Sequence, residues 1–393
     1  MICMKILFVS TTPLEYSSSA NMRNIGLIKG LIEGGNKVYL LAPIGDKNSK
    51  HYNKAFEDIK FEKRYYVELG TAYNNIISNN SKNKLIYEMK DKIKLKIHNF
   101  IIRLSIYDPR KRLAQKFNIN EIDTNFDIMV SSSDPKSSHL LAEKLYKSNK
   151  IKIDKWIQYW GDPFLHDINS RSLIPKRFIK NEEERLINFA DKIIYVSPFT
   201  LELQQKTYSV NKDKMKFIPV PYMEKKYYEK IDNEKFTIGY FGDYYSKDRN
   251  IYPFYDCLCK MGDDIDVKIY GNTDLDLKTT KSISINSRCN YQIIKKEESN
   301  CDLLVCILNK NGTQIPGKVY HYASTNKPIL LILDGEKKEE MSEYFKQFNR
   351  FILCENKIES ISEAIKSAKY SNIEYNPSPE FEYKEIAKKF INS

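Results

Sequence analysis

The sequence predicts an α/β protein with two doubly wound parallel sheets, one in each half of the chain. Residues 5–10, KILFVS, form a short apolar run, and a second run, VYLLA at 38–42, follows a helical pattern over 21–34 that ends in two glycines. Strand, helix, glycine turn and strand is the order of a βαβ unit, whose strands are parallel. The same order restarts with FTIGYF at 236–241. A chain of 393 residues is also long enough for two cores.

These patterns predict the domain boundaries. We expect an N-terminal domain at 1–222 and a C-terminal domain at 236–379. The segment 223–235 is rich in charge and has no periodic apolar face, which is typical of a linker. An amphipathic helix is predicted within 380–393, at the end of the chain.

The composition limits the partners and the compartment. With 63 Lys and Arg against 51 Asp and Glu, the net charge is +12, so nucleotide diphosphates, anionic membranes and nucleic acid all fit. No nucleic-acid-binding module is recognisable, so we expect no nucleic-acid partner. The seven cysteines are irregularly spaced, which favours reduced thiols in a cytoplasmic protein over disulfides or a metal site. No cleavage site follows the apolar N-terminus, and no run of about twenty apolar residues occurs.

The segment 82–112 combines a strong positive charge with apolar residues at helical spacing. Such a helix could lie on an anionic membrane surface, which would make the protein peripheral to the inner face of the plasma membrane. The alternative is a helix that packs on the N-terminal sheet and turns its lysines to solvent.

Two polar segments follow the first strands of the N-terminal half. Ser18 and Ser19 precede the first helix, where small residues let a ligand approach the helix N-terminus, although a helix cap is an equally good interpretation. The strand at 126–131, FDIMVS, runs into the turn at 132–135. Ligands bind beyond the carboxyl ends of parallel strands, so this turn is a candidate site.

The next strand, WIQY at 156–159, is followed at once by the sequence WGDPF. Asp162 is the best acid/base or acceptor-orienting candidate in this half, and Trp160 and Phe164 are suited to stacking on a sugar. Asp-Pro is also a common turn initiator, which is the alternative role for Asp162. His166 is close enough in sequence to assist, or it has a structural role.

The second half of the chain carries a candidate phosphate site at 301–335. An apolar run at 303–308 predicts a strand buried on both faces, and the polar loop after it contains Gly312, Thr313 and Gln314. Gly317 and Lys318 then begin an amphipathic helix. Free backbone N–H groups, the helix dipole and a lysine together favour a phosphate or diphosphate. A further strand is predicted at 329–333.

The stretch IPGKVYHYASTNKPILLILDG resembles the donor-site motif of GT-B-fold glycosyltransferases of the family 4 kind. In that family a lysine meets the donor diphosphate, and a glutamate three residues later holds the ribose hydroxyls. Lys318 matches the lysine. His321 stands at the glutamate position, and Thr313 stands at the position of an earlier acidic residue.

The resemblance implies two Rossmann-like domains that face a cleft, with the C-terminal helix crossing back to the first domain. It also implies that Gly242, after FTIGYF, lets the donor phosphate approach and that Arg249 binds it, with Lys247 as the spare. Arg249 and Lys318 would then stabilise the leaving diphosphate without metal. The other residues implied at the donor site and the acceptor side are Gly312, Thr313, Gly317 and His321, and Ser18, Ser19, Trp160, Asp162 and His166.

The resulting prediction is a glycosyltransferase that moves a sugar from a nucleotide-diphosphate sugar to a glycan or lipid-linked acceptor in surface polysaccharide biosynthesis. Retention of configuration and independence of metal are expected, and the nucleotide sugar is a co-substrate rather than a cofactor. One alternative is a nucleotide-sugar 2-epimerase of the same fold. Another is a subunit that binds nucleotide sugars without catalysis.

Overall fold

A computed structural model describes residues 3–49, 51–67, 100, 102–170, 172–231 and 233–393. The chain divides into two compact units. Unit 1 comprises Met1–Ile218 with Ala387–Ser393, and unit 2 comprises Pro219–Ile386. Most of the basic segment 82–112 lies outside the described residues, so its role at a membrane stays a prediction.

Unit 1 is built on one parallel sheet of seven strands in the order β3-β2-β1-β4-β5-β6-β7. Its strands are β1 Lys5–Val9, β2 Lys37–Ala42, β3 Lys63–Tyr66, β4 Phe126–Ser132, β5 Ile153–Trp160, β6 Lys192–Tyr195 and β7 Met215–Phe217. Its helices are α1 Ser19–Glu33, α2 Lys111–Lys116, α3 Ser137–Lys147, α4 Lys176–Phe189 and α5 Pro198–Thr207, with 3₁₀ turns at Lys54–Phe56, Ile119–Glu121 and Ser209–Lys214.

The apolar runs become strands because both of their faces are covered. In β1 the four residues after Lys5 are all buried, and Leu7 pairs in register with Tyr39 on one side and Met129 on the other. At the end of the chain, the Phe390 ring lies edge-on to Tyr159 in β5, with 5.3 Å between the ring centroids. The last residues therefore complete the core of unit 1.

Unit 2 is built on a parallel sheet of six strands in the order β10-β9-β8-β11-β12-β13. Its strands are β8 Phe236–Phe241, β9 Ile265–Tyr270, β10 Ile283–Asn286, β11 Leu303–Ile307, β12 Ile329–Leu333 and β13 Ile352–Glu355. The helices from this part of the chain onward are α6 Tyr252–Met261, α7 Tyr291–Ser299, α8 Gly317–Ala323, α9 Lys338–Lys346, α10 Ile358–Lys369 and α11 Tyr383–Ile391, with 3₁₀ turns at Gly262–Asp264 and Pro379–Phe381.

Two parallel α/β sheets confirm the predicted fold class. The predicted linker 223–235 differs, because its first residues pack into unit 2. Lys226 is only 5% exposed, its backbone N–H donates to the Ser324 carbonyl over 2.8 Å, and the Tyr228 N–H donates to Asn326 Oδ1. The charged residues at the start of this segment are therefore not all exposed to solvent.

All seven cysteines are free thiols, and Cys3 and Cys259 are exposed. Within the described residues, no helix combines the length and the apolar character needed to cross a membrane.

Candidate functional site

In unit 2, the loops after neighbouring strands are tied together at the carboxyl edge of the sheet. The Gly242 N–H donates to the Tyr270 carbonyl over 2.9 Å, and a Cβ at Gly271 would overlap the Gly242 carbonyl oxygen. The Lys310 N–H donates to the Asp248 carbonyl over 2.8 Å. Gly271 is thus required for the packing of these two strand ends, whereas a Cβ at Gly242 would meet only the Tyr240 hydroxyl, at 3.8 Å.

Lys318 is held at this edge by a buried carboxylate. It is the second residue of α8, its side chain is 31% exposed, and its ammonium lies 2.8 Å from Glu298 Oε1. Glu298 comes from the last turn of α7 and is fully buried. Lys318 is therefore restrained by an ion pair while it remains accessible to a ligand.

Two further bases meet the same carboxylate. His321 Nε2 lies 3.1 Å from Glu298 Oε2, and the Lys226 ammonium lies 3.1 Å from the same ring nitrogen and 3.9 Å from Oε2. His321 is 7% exposed. It is therefore buried beside a protein carboxylate, and its predicted contact with the donor ribose stays a prediction.

Burial and neighbouring charges shift the pKa values of Glu298, Lys226 and His321. Burial raises the pKa of Glu298, but Lys318, His321 and Lys226 outweigh that effect, so the net pKa is well below its usual range. Burial lowers the pKa of Lys226 to about 8, and burial together with Lys226 lowers the pKa of His321 to about 4. At neutral pH the cluster holds one carboxylate, a neutral imidazole and two ammonium groups, and its net charge is positive.

Arg249 lies near the same strand as Lys318. Its guanidinium donates to the Asp243 carbonyl oxygen and contacts the Tyr240 hydroxyl. Burial raises the pKa of the Cys306 thiol in β11 to about 11, and Arg249 and Lys318 both act to lower it. Arg249 follows Asp248, whose carbonyl accepts the Lys310 N–H just beyond β11, and Lys318 begins the helix after the same strand. Both residues therefore come from segments at the carboxyl end of β11.

The other predicted donor residues line the loop between β11 and α8. Gly312 has a φ of 82°, which an L side chain adopts only with strain, and it is exposed. Thr313 is 4% exposed, and its N–H donates to Gln314 Oε1 over 3.2 Å. Gly317 is half-buried at the start of α8. Their contact with a donor stays a prediction.

Unit 1 brings two carboxyl groups together beyond β4 and β5. Asp134 and Asp162 follow these neighbouring strands, and each carboxyl affects the pKa of the other. Burial and the charge of Asp134 raise the pKa of Asp162 well above its usual range. Burial also raises the pKa of Asp134, but Lys136 and Arg23 outweigh it and lower the net value. The two carboxyls therefore differ in pKa, and Asp162 is the one that binds a proton more readily.

Two cations hold the loops that carry this pair. The Lys136 ammonium lies 2.6 Å from Asp167 Oδ2 and 3.3 Å from Asp134 Oδ1. The Arg23 guanidinium from α1 donates to the Ser133 carbonyl oxygen and passes so close to Gly161 that a Cβ there would overlap it. A side chain at position 161 would require the Arg23 guanidinium to shift.

The structure corrects the expected role of Trp160. The side chain is fully buried, because β5 extends to this residue. The centroid of its ring lies 4.2 Å from that of His139 and 5.6 Å from that of Phe164. Phe164 is 3% exposed. Neither ring can stack on a sugar, since both are part of the core.

The remaining predicted residues of unit 1 have local partners. Ser18 caps α1, because its hydroxyl accepts the Asn21 N–H over 3.1 Å, and this confirms the cap interpretation. Ser19 is exposed at the first position of the helix. His166 Nε2 lies 3.2 Å from the Thr207 hydroxyl, and burial lowers the pKa of its ring.

Sequence reasoning missed four residues that build these two clusters: Glu298, Lys226, Lys136 and Arg23. Glu298 lies twenty residues before Lys318 in a polar helix, and Lys226 lies in a charged segment. Neither residue belongs to a motif that could be recognised in the sequence. In the described part of the chain, no three acidic, histidine or cysteine side chains are grouped in a way that could hold a metal ion.

Known structures resemble the whole chain. The catalytic domain of starch synthase IV from Arabidopsis thaliana, bound to ADP and acarbose, superimposes with a TM-score of 0.63 at 8% identity and covers all of both chains. The chain has the GT-B fold. Anabaena HepE, in complex with UDP and glucose, superimposes with a TM-score of 0.55 at 13% identity, over 98% of this chain and 95% of that one.

A UDP-N-acetylglucosamine 2-epimerase gives a TM-score of 0.50 at 10% identity, over 99% of this chain and 95% of that one. No family model matches the sequence, and no curated protein does. The likeness therefore establishes the GT-B fold and leaves the reaction to be argued from the site.

Proposed function

We propose that the protein is a glycosyltransferase whose unit 2 binds a nucleotide-diphosphate sugar. The observation that supports this most directly is that Lys318 and Arg249 both come from segments at the carboxyl end of β11, Lys318 from the helix that follows the strand and Arg249 from the loop bonded to Lys310. In open α/β sheets this edge is where ligands bind, and two nearby cations favour a diphosphate. Lys318 is reachable from solvent, since its side chain is 31% exposed.

In the proposed reaction, the two cations stabilise the negative charge that develops on the diphosphate as its bond to the anomeric carbon breaks. Glu298 holds the Lys318 ammonium in place before the donor arrives. We further propose that the anomeric configuration is retained, that no metal is needed, and that the acceptor is a glycan or a lipid-linked glycan of a surface polysaccharide. The segment 82–112 would bring the protein to the membrane that carries such an acceptor.

A thermal-shift assay tests the donor site. Uridine, guanosine, cytidine, adenosine and thymidine diphosphates are added without magnesium, and we expect at least one of them to raise the melting temperature, because a ligand of the folded state stabilises it. Lys318→Ala should abolish that shift. Lys346→Ala is the control, since this lysine is exposed on α9, and it should leave the shift unchanged. An unaltered shift in Lys318→Ala would remove this lysine from the donor site.

A nucleotide-sugar 2-epimerase is the second candidate, and a specific observation favours it. Epimerisation moves protons, and Glu298, His321 and Lys226 bring a carboxylate, an imidazole and an amine together in unit 2. Glu298 is fully buried, which favours a role in positioning Lys318 over direct contact with a sugar. Incubation with nucleotide sugars followed by NMR separates the candidates, because an epimerase yields the 2-epimer without an acceptor. A subunit without catalysis would bind the nucleotide and yield neither product.

A further inference from the structure

The charged cluster of unit 2 places two ammonium groups beside one carboxylate. Glu298 is fully buried, and its Oε1 already lies 2.8 Å from the Lys318 ammonium. Lys226 adds a second ammonium, which lies 3.9 Å from Oε2 of the same carboxylate, although the Lys226 side chain is only 4% exposed. A buried charge is costly unless another group compensates it, so this second ammonium calls for a physical reason.

Backbone and ring contacts hold Lys226 between α7 and α8. Its N–H donates to the Ser324 carbonyl at the end of α8 over 2.8 Å, and the residue pairs with Thr325 in a parallel bridge. Its ammonium lies 5.4 Å from the centre of the Tyr291 ring in α7, the helix that also carries Glu298. The position of Lys226 beside the carboxylate therefore depends on packing against both helices as well as on the ion pair.

His321 contacts the Lys226 ammonium without neutralising it. The ring Nε2 lies 3.1 Å from Lys226 Nζ and 3.1 Å from Glu298 Oε2. An ammonium only donates and a carboxylate only accepts, so this one nitrogen can hydrogen-bond to only one of them at a time. Burial together with Lys226 lowers the pKa of His321 to about 4, so the ring is neutral at pH 7. The positive charge of Lys226 is therefore left to act on Glu298.

An incoming diphosphate changes the balance of charge at Lys318. The Lys318 side chain is 31% exposed, so an anion can reach its ammonium from solvent, whereas Glu298 is closed to solvent. One ammonium then faces two anions, the diphosphate and the carboxylate, and nearby like charges disfavour each other. Lys226 is a cation already in place to compensate Glu298. The charge of Lys318 then remains available to the diphosphate.

We propose that Lys226 is a positioning residue for diphosphate binding, because it compensates the buried carboxylate of Glu298 and so leaves the Lys318 ammonium available to the donor. Lys226 acts through Glu298 and does not contact the donor, since its side chain is 4% exposed. This role rests on the proposed donor site at Lys318. It extends that site to a residue in the segment that enters unit 2.

Isothermal titration of the full chain with inorganic pyrophosphate, without magnesium, tests this role. Lys226→Met keeps a long apolar side chain and removes the charge, so pyrophosphate binding should weaken about tenfold. Lys226→Arg should restore most of the affinity, since its guanidinium stays charged. Lys296→Met is the control, because Lys296 is exposed on α7, and it should leave the affinity unchanged.

A double-mutant cycle separates charge compensation from a purely structural role. Glu298→Gln has no charge to compensate, so Lys226→Met should cause little or no further loss of pyrophosphate affinity in that background. A structural loss would be equally large in both backgrounds. The same tenfold loss with Glu298→Gln present would therefore overturn the proposal.

The pH dependence of binding gives an independent readout. Burial lowers the pKa of Lys226 to about 8, so pyrophosphate binding to the wild type should weaken up to about tenfold as the pH rises from about 7 to about 9. Lys226→Arg stays charged, so its affinity should fall less over that range. Both proteins share the other charged and titratable groups around this position, which are Glu298, Lys318, His321, Glu224, Lys295 and Tyr291.

The outcomes distinguish two failures. If the wild type does not bind pyrophosphate, or if Lys318→Ala binds it equally well, the donor site at Lys318 is refuted and this role of Lys226 with it. If Lys318→Ala loses binding while Lys226→Met retains it, the role of Lys226 alone is refuted. If Lys226→Met does not fold, as judged by circular dichroism, the pH profiles of Lys226→Arg and the wild type decide, and parallel profiles would overturn the role.

Discussion

Each unit carries a charged cluster at the carboxyl edge of its parallel sheet. The two clusters differ in the charged groups that they bring together. In unit 2 one buried carboxylate, Glu298, is surrounded by Lys318, His321 and Lys226. In unit 1 the carboxyls of Asp134 and Asp162 lie beside Lys136 and Arg23, and burial together with the charge of Asp134 raises the pKa of Asp162. The first arrangement buries one carboxylate among three bases, whereas the second places two carboxyls beside two cations. The same kind of sheet edge therefore carries a different pattern of charge in each unit.

The largest expected effect comes from removing the central carboxylate of unit 2. Glu298→Ala leaves buried cations without a counter-charge, so we expect a loss of about 3–5 kcal/mol in the free energy of unfolding. Urea unfolding followed by far-ultraviolet circular dichroism measures it. Glu297→Ala, the neighbour whose ion pair with Lys268 is partly exposed, should cost less than about 1 kcal/mol.

Tryptophan fluorescence sharpens this experiment. The chain has two tryptophans, and both lie in β5, so their emission follows the unfolding of unit 1. A fluorescence midpoint that falls in Glu298→Ala as far as the dichroism midpoint would mean that the damage extends beyond unit 2. In that case, the comparison between two separate clusters would fail.

The pH dependence of stability should have opposite signs in the two clusters. The pKa of Glu298 is lowered, so its contribution is present above the unfolded value of about 4.3 and is lost as the pH falls toward the folded value. The pKa of Asp162 is raised, so its contribution is present at acidic pH and is lost as the pH rises through the folded value. Each effect amounts to about 1.4 kcal/mol per pH unit within its window.

Two variants separate these windows. The deficit of Glu298→Gln relative to the wild type should shrink below about pH 4.3, whereas Asp162→Asn should gain stability relative to the wild type as the pH rises. Urea midpoints measured across the pH range check both expectations. Parallel curves for Asp162→Asn and the wild type would show that the pKa of Asp162 is not raised in the folded protein.

The smallest expected effect concerns the two serines before α1. Ser18→Ala should cost about 1 kcal/mol, because it removes the hydroxyl that accepts the Asn21 N–H, whereas Ser19→Ala should cost only a few tenths. Thermal unfolding measures both losses. A loss in Ser18→Ala as small as that in Ser19→Ala would show that the Ser18 hydroxyl does not stabilise the helix.

The fold could be predicted from the sequence because its central strands are continuous apolar runs. The predicted runs at 236–241 and 329–333 coincide with β8 and β12. The two edge strands that were not predicted, β3 and β10, have alternating or partial burial, so their composition resembles that of loops. Covered strands are therefore easier to recognise than edge strands.

The sites were only partly predictable, because their key contacts join residues that are far apart in sequence. Lys318 and Asp162 could be selected from local motifs. Glu298 and Arg23 could not, since each acts through a tertiary contact that leaves no mark on its neighbours. Trp160 was misassigned for the opposite reason, because a local motif suggested an exposed ring where the strand continues into the core.

The distribution of thiols gives each half of the protein its own chemical handle. Cys3 in unit 1 and Cys259 in unit 2 are exposed, whereas Cys257, Cys301, Cys306 and Cys354 are buried, and burial raises their pKa values. Alkylating reagents react with the thiolate, so they should modify the exposed pair first. A dye attached at either position would then follow the response of one half to its own ligand in an otherwise unaltered chain.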